Sequence, residues 1–172
     1  MRKKQEETRS SNIPNSMDRE LHRIVVTAHI YKPDFTYLII KRALHKKVMP
    51  GKWAIPGGGV TIDDYINTPS STVEAKQWYG ALENSLRREV GEEVNVEIGK
   101  PEFFGDYTYI RPDNIPVLGL IYIAPYVSGE VKLDDEATEF KWIRAEEAMH
   151  HDFIAGIAHE IERVDEILKK RG

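Results

Sequence analysis

Between residues 78 and 94 the apolar side chains Trp78, Leu82, Leu86, Val90 and Val94 fall at every fourth position. That spacing lines one face of an α-helix, so the stretch has to coil and bury its stripe against another element. Ser71 and Thr72 supply capping hydroxyls upstream, and together the signals predict a helix over about 72–94. The same stretch reads SLRREVGEEVNV over 85–96. At about 100° per residue, Glu89, Glu92 and Glu93 share one sector of the helix, beside Val90 rather than opposite it. Three carboxylates so close raise one another's pKa values, and a divalent cation removes the cost. Hard oxygen ligands select Mg²⁺ or Mn²⁺, which complete their shells with water and phosphate oxygens. A plain solvated face, with Arg87 and Arg88 as its charge partners, fits the same spacing, so the helix alone leaves both readings open.

The rest of the chain says what the helix packs on. HRIVVTAHIY (22–31) and YLIIK (37–41) are β-branched and aromatic runs separated by Pro33 and Asp34, and they predict two strands. Further strands are expected over 103–109, 117–127 and 140–143, with Pro112, Asp113, Asn114 and Gly129 between them. HKKVMPGKWAIPGGGV (45–60) is too rich in Gly and Pro for a helix and reads as a loop with short extended pieces, anchored by Trp53 and Ile55. Phe153, Ile154, Ile157, Ile161, Val164 and Leu168 mark a terminal helix. Intermixed strands and helices imply an α/β fold, a mixed sheet covered by helices. At 172 residues and 41% hydrophobic, the chain suits a single domain over 21–172, including the C-terminal helix, behind a disordered tail over 1–20.

Composition excludes several classes. With 24 Lys+Arg against 28 Asp+Glu, binding of a nucleic acid polymer through a basic surface is disfavoured. The longest apolar run, Leu118 to Ala124, is far short of the roughly 18 residues of a membrane span. Zero cysteines exclude disulfides, zinc thiolates and a Cys nucleophile, and with no secretory leader the expected location is cytoplasmic.

The acids acquire meaning from their neighbours. WAIPGGGV (53–60) followed by REVGEEVNV (88–96) resembles the box of the Nudix hydrolase family: a glycine, five residues, Glu, seven residues, then Arg-Glu-apolar-any-Glu-Glu-any-Gly-apolar. Gly58 takes the place of the box glycine, and Asn95 stands where the final glycine belongs, at a helix end where Asn tolerates the left-handed conformation. Asp64 stands where the first Glu belongs, and 23 residues separate it from Arg88, an excess of 16 over the family pattern. The sequence is therefore expected to carry a 16-residue insertion, about Tyr65 to Gly80, inside the box. Aligned from Arg88 instead, Gly80 would fill the Glu position, and Glu83 is a further candidate to orient the arginine.

The resemblance implies a Nudix-type α/β/α sandwich and a Mg²⁺-dependent hydrolase, Mn²⁺ able to substitute. Such an enzyme cleaves the diphosphate bond of a nucleoside diphosphate linked to another moiety by water attack on phosphorus. It implies Glu89, Glu92, Glu93 and the Gly58 carbonyl as metal ligands, with Arg88 holding the glutamates in register. The general base is expected at Glu93 or Glu89, with Glu136 of the DDEATEFKW loop behind them and Glu139 next. Arg42 and Lys52 flank the expected cleft as phosphate-binding candidates. A nucleotide-type small molecule is the expected partner, and the insertion is expected to extend the long helix, to lid the cleft or to make a subunit contact such as that of a homodimer. The alternative is a nucleotide-sensing module that binds without cutting. The isomerase branch of the fold relies on a cysteine and is excluded. Trp53, Tyr107 and Tyr109 read as core residues, His150 and His151 as surface residues near a helix start, and Pro112 as a turn residue.

Overall fold

The computed structural model describes residues 20–171. The tail expected over 1–20 lies, but for Glu20, outside the described residues. The expected strand pair forms as β1 (Arg23–Tyr31) and β2 (Tyr37–Arg42), followed by two short strands, β3 (Trp53–Ala54) and β4 (Gly57–Gly59). Helix α1 (Ala81–Val94) leads into β5 (Glu97–Ile98), β6 (Glu102–Ile110), β7 (Pro116–Ser128) and β8 (Ala137–Ile143), and α2 (Ile157–Arg171) closes the chain. The sheet is mixed: β1 runs parallel to β7 and antiparallel to β4, while β2 pairs antiparallel with β3 and β8, and β7 with β5 and β6.

Helices cover the sheet. In β1, Val26, Ala28, His29 and Ile30 are all wholly buried, which for consecutive positions requires cover on both faces. α1 packs against β1, β4 and β5 through Leu86, Val90 and Val94, each fully buried and each worth about 1.5–3 kcal/mol relative to exposure. α2 presents Ile161, Val164 and Leu168 to the core and reaches the sheet with polar groups: Tyr37 donates to Asp165 at 3.0 Å, and His29 lies 3.2 Å from Glu160.

The long helix is shorter than its apolar period predicts. It begins at Ala81, not near residue 72, because Gly80 sits at φ 79°, a left-handed turn that breaks the helical path. Trp78 mimics the period from a loop: its ring packs 5.4 Å from that of Tyr65, and its indole N–H donates to the Thr68 carbonyl at 2.9 Å. Residues 65–80 form turns stitched by Ser71, whose N–H donates to the Gln77 carbonyl and whose hydroxyl accepts from the Tyr79 N–H. Likewise Phe153 and Ile154 precede α2 rather than belong to it. Among the described residues no helix is long and apolar enough to cross a membrane.

Candidate active site

The local fold explains why the acids converge. β4 is pinned to β1 by the pairs Val25–Gly59, Val26–Gly58 and Thr27–Gly57, which lays the glycine strand beside the C-terminal half of α1. Gly58 lets the Glu89 carboxylate lie against the strand: a Cβ there would displace that carboxylate from its present position. The Gly57 N–H donates to Glu93 Oε2 at 3.0 Å. α1 ends at Asn95 with φ 55°, so the residue standing in for glycine adopts the left-handed turn, and its amide adds a bond to the Glu130 carbonyl at 3.0 Å.

Arg88 organises the acidic end. Its Nε donates to Asp64 Oδ1 at 2.6 Å and its Nη2 to the Gly59 carbonyl at 3.1 Å, while Nη1 lies 2.8 Å from Glu92 and 3.0 Å from Glu89. Asp64 is held in turn by the Thr61 N–H at 2.7 Å, a capping arrangement around the turn Ile62–Asp64. The Arg88 bond, foremost, holds the nearly inaccessible Asp64 carboxyl down at about 2. Asp64 thus fills the role its sequence position implied, one methylene shorter than Glu. Glu83 does not substitute for it: it turns to Arg87 at 2.7 Å.

The glutamates differ sharply in setting. Glu93 is 7% exposed, and burial, with smaller contributions from the nearby charges of Asp134 and Glu136, pushes its carboxyl up to about 8 against the opposing Gly57 bond and Arg42 charge. Glu89 is half-buried and also raised, mainly by burial, with Arg88 pulling the other way. Glu92 is exposed and drawn toward Arg88. No three His, Asp or Glu side chains among the described residues close into a ready-made metal cage. The donor chemistry nevertheless fits a hard divalent cation. Glu89 and Glu93 offer carboxylate oxygens whose charge costs energy where it stands, and the Glu89 carboxylate lies directly against the bare Gly58 backbone.

Of the remaining candidates, Glu136 is close enough to raise both Glu89 and Glu93 but is ion-paired with Lys46. Glu139 pairs with Lys41 at 2.7 Å, and Lys52 pairs with Asp152, which takes both out of the acidic cluster. Arg42 donates to the Val48 carbonyl at 3.1 and 2.9 Å and lies within electrostatic reach of Glu93. Trp53 is core, as expected, and His151 packs edge-on against it at 5.3 Å. Sequence reasoning passed over Asp134. Its N–H donates to the Glu93 carbonyl at 3.3 Å, and its carboxylate raises Glu93; its place two residues before Glu136 was the available signal.

Comparison with known proteins agrees with this geometry. A family model for the NUDIX domain matches residues 21–164. The nucleoside triphosphatase NudI of Escherichia coli K12 is 29% identical over 133 residues, 74% of this chain and 86% of that protein. Two solved structures share the fold. The MutT protein from Methanosarcina mazei Go1 has a TM-score of 0.63 at 24% identity, over 86% of this chain and 96% of that one. The NUDIX domain of Shewanella oneidensis NrtR, solved with ADP ribose, has a TM-score of 0.65 at 16% identity, over 90% and 94%. With the matched region spanning most of the molecule and the box residues gathered at one end of α1, the chain belongs to the Nudix hydrolase family.

Proposed function

We propose that this enzyme is a Mg²⁺-dependent pyrophosphohydrolase, Mn²⁺ able to substitute, acting on a nucleoside diphosphate linked to another moiety. Nucleoside triphosphates are placed first, on the likeness to NudI. The observation that carries the reading is the buried Glu93 beside Glu89, both fixed by backbone or arginine contacts rather than left to solvent. Glu89, Glu92, Glu93 and the Gly58 carbonyl would hold the cation. When bound, it supplies charge neutralisation at the diphosphate and an acidified attacking water. Arg88, locked by Asp64 and the Gly59 carbonyl, keeps Glu89 and Glu92 in register. Glu93 is anchored through one oxygen by the Gly57 N–H, and its other oxygen accepts the water's proton; Glu89 is second in that role and Glu136, engaged by Lys46, third. Arg42 steadies a phosphate at the rim.

The reading includes a cytoplasmic site of action and treats residues 65–80 as an insertion that serves a homodimer contact, with Val73 and Tyr79 exposed on it. The test is a product assay over nucleoside triphosphates, nucleotide sugars, ADP-ribose and dinucleoside polyphosphates in ¹⁸O water, with Mg²⁺ and with EDTA. Expected are diphosphate-bond cleavage with ¹⁸O in a phosphoryl product and silence in EDTA. Nucleotide binding without cleavage of any member would establish the sensing alternative instead.

A further inference from the structure

Arg23, the first residue of β1, is exposed, and its guanidinium lies against Gly59 of β4, in the space that a Cβ on that glycine would need. On the neighbouring Gly58 the same space is held by the Glu89 carboxylate. Successive Cβ positions of a strand point to opposite faces, so the cation and the acid rest on the two faces of β4, one residue apart. Two arginines therefore meet at Gly59, whose carbonyl accepts from Arg88 Nη2 at 3.1 Å. Arg88 is neutralised by Asp64, Glu89 and Glu92. Arg42, Arg87 and Arg111 likewise donate to oxygens, whereas among the described residues Arg23 has no such acceptor and rests on bare backbone.

The face around Arg23 is open. The register sets Arg23 beside Val117 and Val117 beside Tyr109; in the next row Gly59, Val25, Gly119 and Tyr107 stand side by side. Neither row contains an acid. Helix α2 covers the other end of this face, where Glu160 meets His29 and Arg163 lies over the Phe104 ring. Arg23 stands six residues from His29, about 20 Å along the strand. Between the two ends the burial falls away: His29 is wholly buried, Val25 and Tyr109 are partly exposed, and Arg23 faces solvent.

We infer that Arg23 binds a phosphate of the substrate on the side of β4 opposite the carboxylates, so that one polyphosphate chain spans the glycine strand from Glu89 and Glu93 to this guanidinium. The inference rests on the hydrolase reading above and supplies a contact that the acidic cluster, which repels a polyanion, does not. A guanidinium presents a planar fork of N–H donors that matches phosphate oxygens, and the bond is strong where no carboxylate competes for it.

Kinetics on the intact enzyme, with the nucleotide it hydrolyses fastest, test this. Arg23→Ala should raise KM about 10–100-fold and leave kcat within about threefold, the signature of a contact made equally in the ground and transition states. Arg23→Lys, which keeps the charge without the fork, should recover part of that loss, to within about tenfold of the wild-type KM. Both variants should melt within about 2 °C of the wild type, because the side chain is exposed. Independently of turnover, the Arg23 ¹⁵Nε resonance of the metal-free wild type should shift on titration with inorganic pyrophosphate. Either an unchanged KM in Arg23→Ala or an unmoved resonance would overturn the inference and leave the reaction standing. So would a raised KM that comes with a lowered melting temperature and is not recovered by lysine. Absence of all hydrolysis would remove the reaction reading, while the pyrophosphate titration would still decide the phosphate contact.

Discussion

Glu93 and Glu139 are the same side chain in opposed surroundings. Glu139 stands in water on β8, and its bond to Lys41 lowers its pKa; Glu93 is enclosed between α1 and β4, and burial raises its pKa to about 8. The rim acids are satisfied by lysines: Glu139 by Lys41, Glu136 by Lys46, Asp152 by Lys52. The inner pair is not. Arg88 is the cation nearest the acidic end of α1, and it is shared among Asp64, Glu92 and Glu89. The fold thus neutralises its rim acids with lysines and leaves the inner pair costly, which is what the proposed cation site requires.

The largest effect expected from breaking this contrast is on turnover. Glu93→Gln keeps the acceptor for the Gly57 N–H but removes the charge, and kcat should drop on the order of a thousandfold while the protein stays folded. A variant with near-normal kcat would remove Glu93 from the chemistry. Asp64→Asn, which leaves Arg88 without its principal partner, should cost about 10–100-fold in activity or metal affinity, the scale of a lost supporting contact. Unchanged activity would show that Glu92 and Glu89 hold the arginine by themselves.

Stability against pH sharpens the contrast further. Glu93 is raised in the folded state, so its contribution is fully present below the ordinary glutamate value of 4.5 and is lost as pH rises through about 8. Asp64 is lowered, so its contribution is present above 3.8 and lost as pH falls through about 2. Metal-free protein followed by thermal melting should therefore lose stability from about pH 5 to 8, with a clearly flatter curve for Glu93→Gln, in which the raised Glu89 alone is left to contribute. A wild-type curve as flat as the variant's would contradict the burial argument. At the small end, Glu139→Gln should change stability by less than about 0.5 kcal/mol in denaturant titration and leave kcat within about twofold, because exposed pairs contribute little.

Much of this was legible in the sequence. The apolar stripe located α1, and the acids beside it were correctly expected at the edge of its buried face. Arg88 meets Asp64 across 23 intervening residues, a pair that the box position of Asp64 implied although no periodicity announces it. What stayed hidden was whatever neither a motif nor a period carries. Trp78 extended the helical period by coincidence, since a loop tryptophan with a bonded indole obeys the same spacing. Strand β5 was missed because its two residues derive their conformation from β7, not from any pattern of their own. Asp134 was passed over because its relevance comes from the Glu93 carbonyl that its N–H meets. Asn95 was readable because helix ends follow local rules.

The central claim is that the buried Glu93 and half-buried Glu89 of α1 hold a divalent cation. It is tested most directly by anomalous diffraction from crystals grown with Mn²⁺ and a nonhydrolysable nucleotide. The account predicts a manganese peak bounded by Glu89 and Glu93 that is lost in Glu93→Gln crystals; nucleotide density with no metal peak beside those two carboxylates would contradict it.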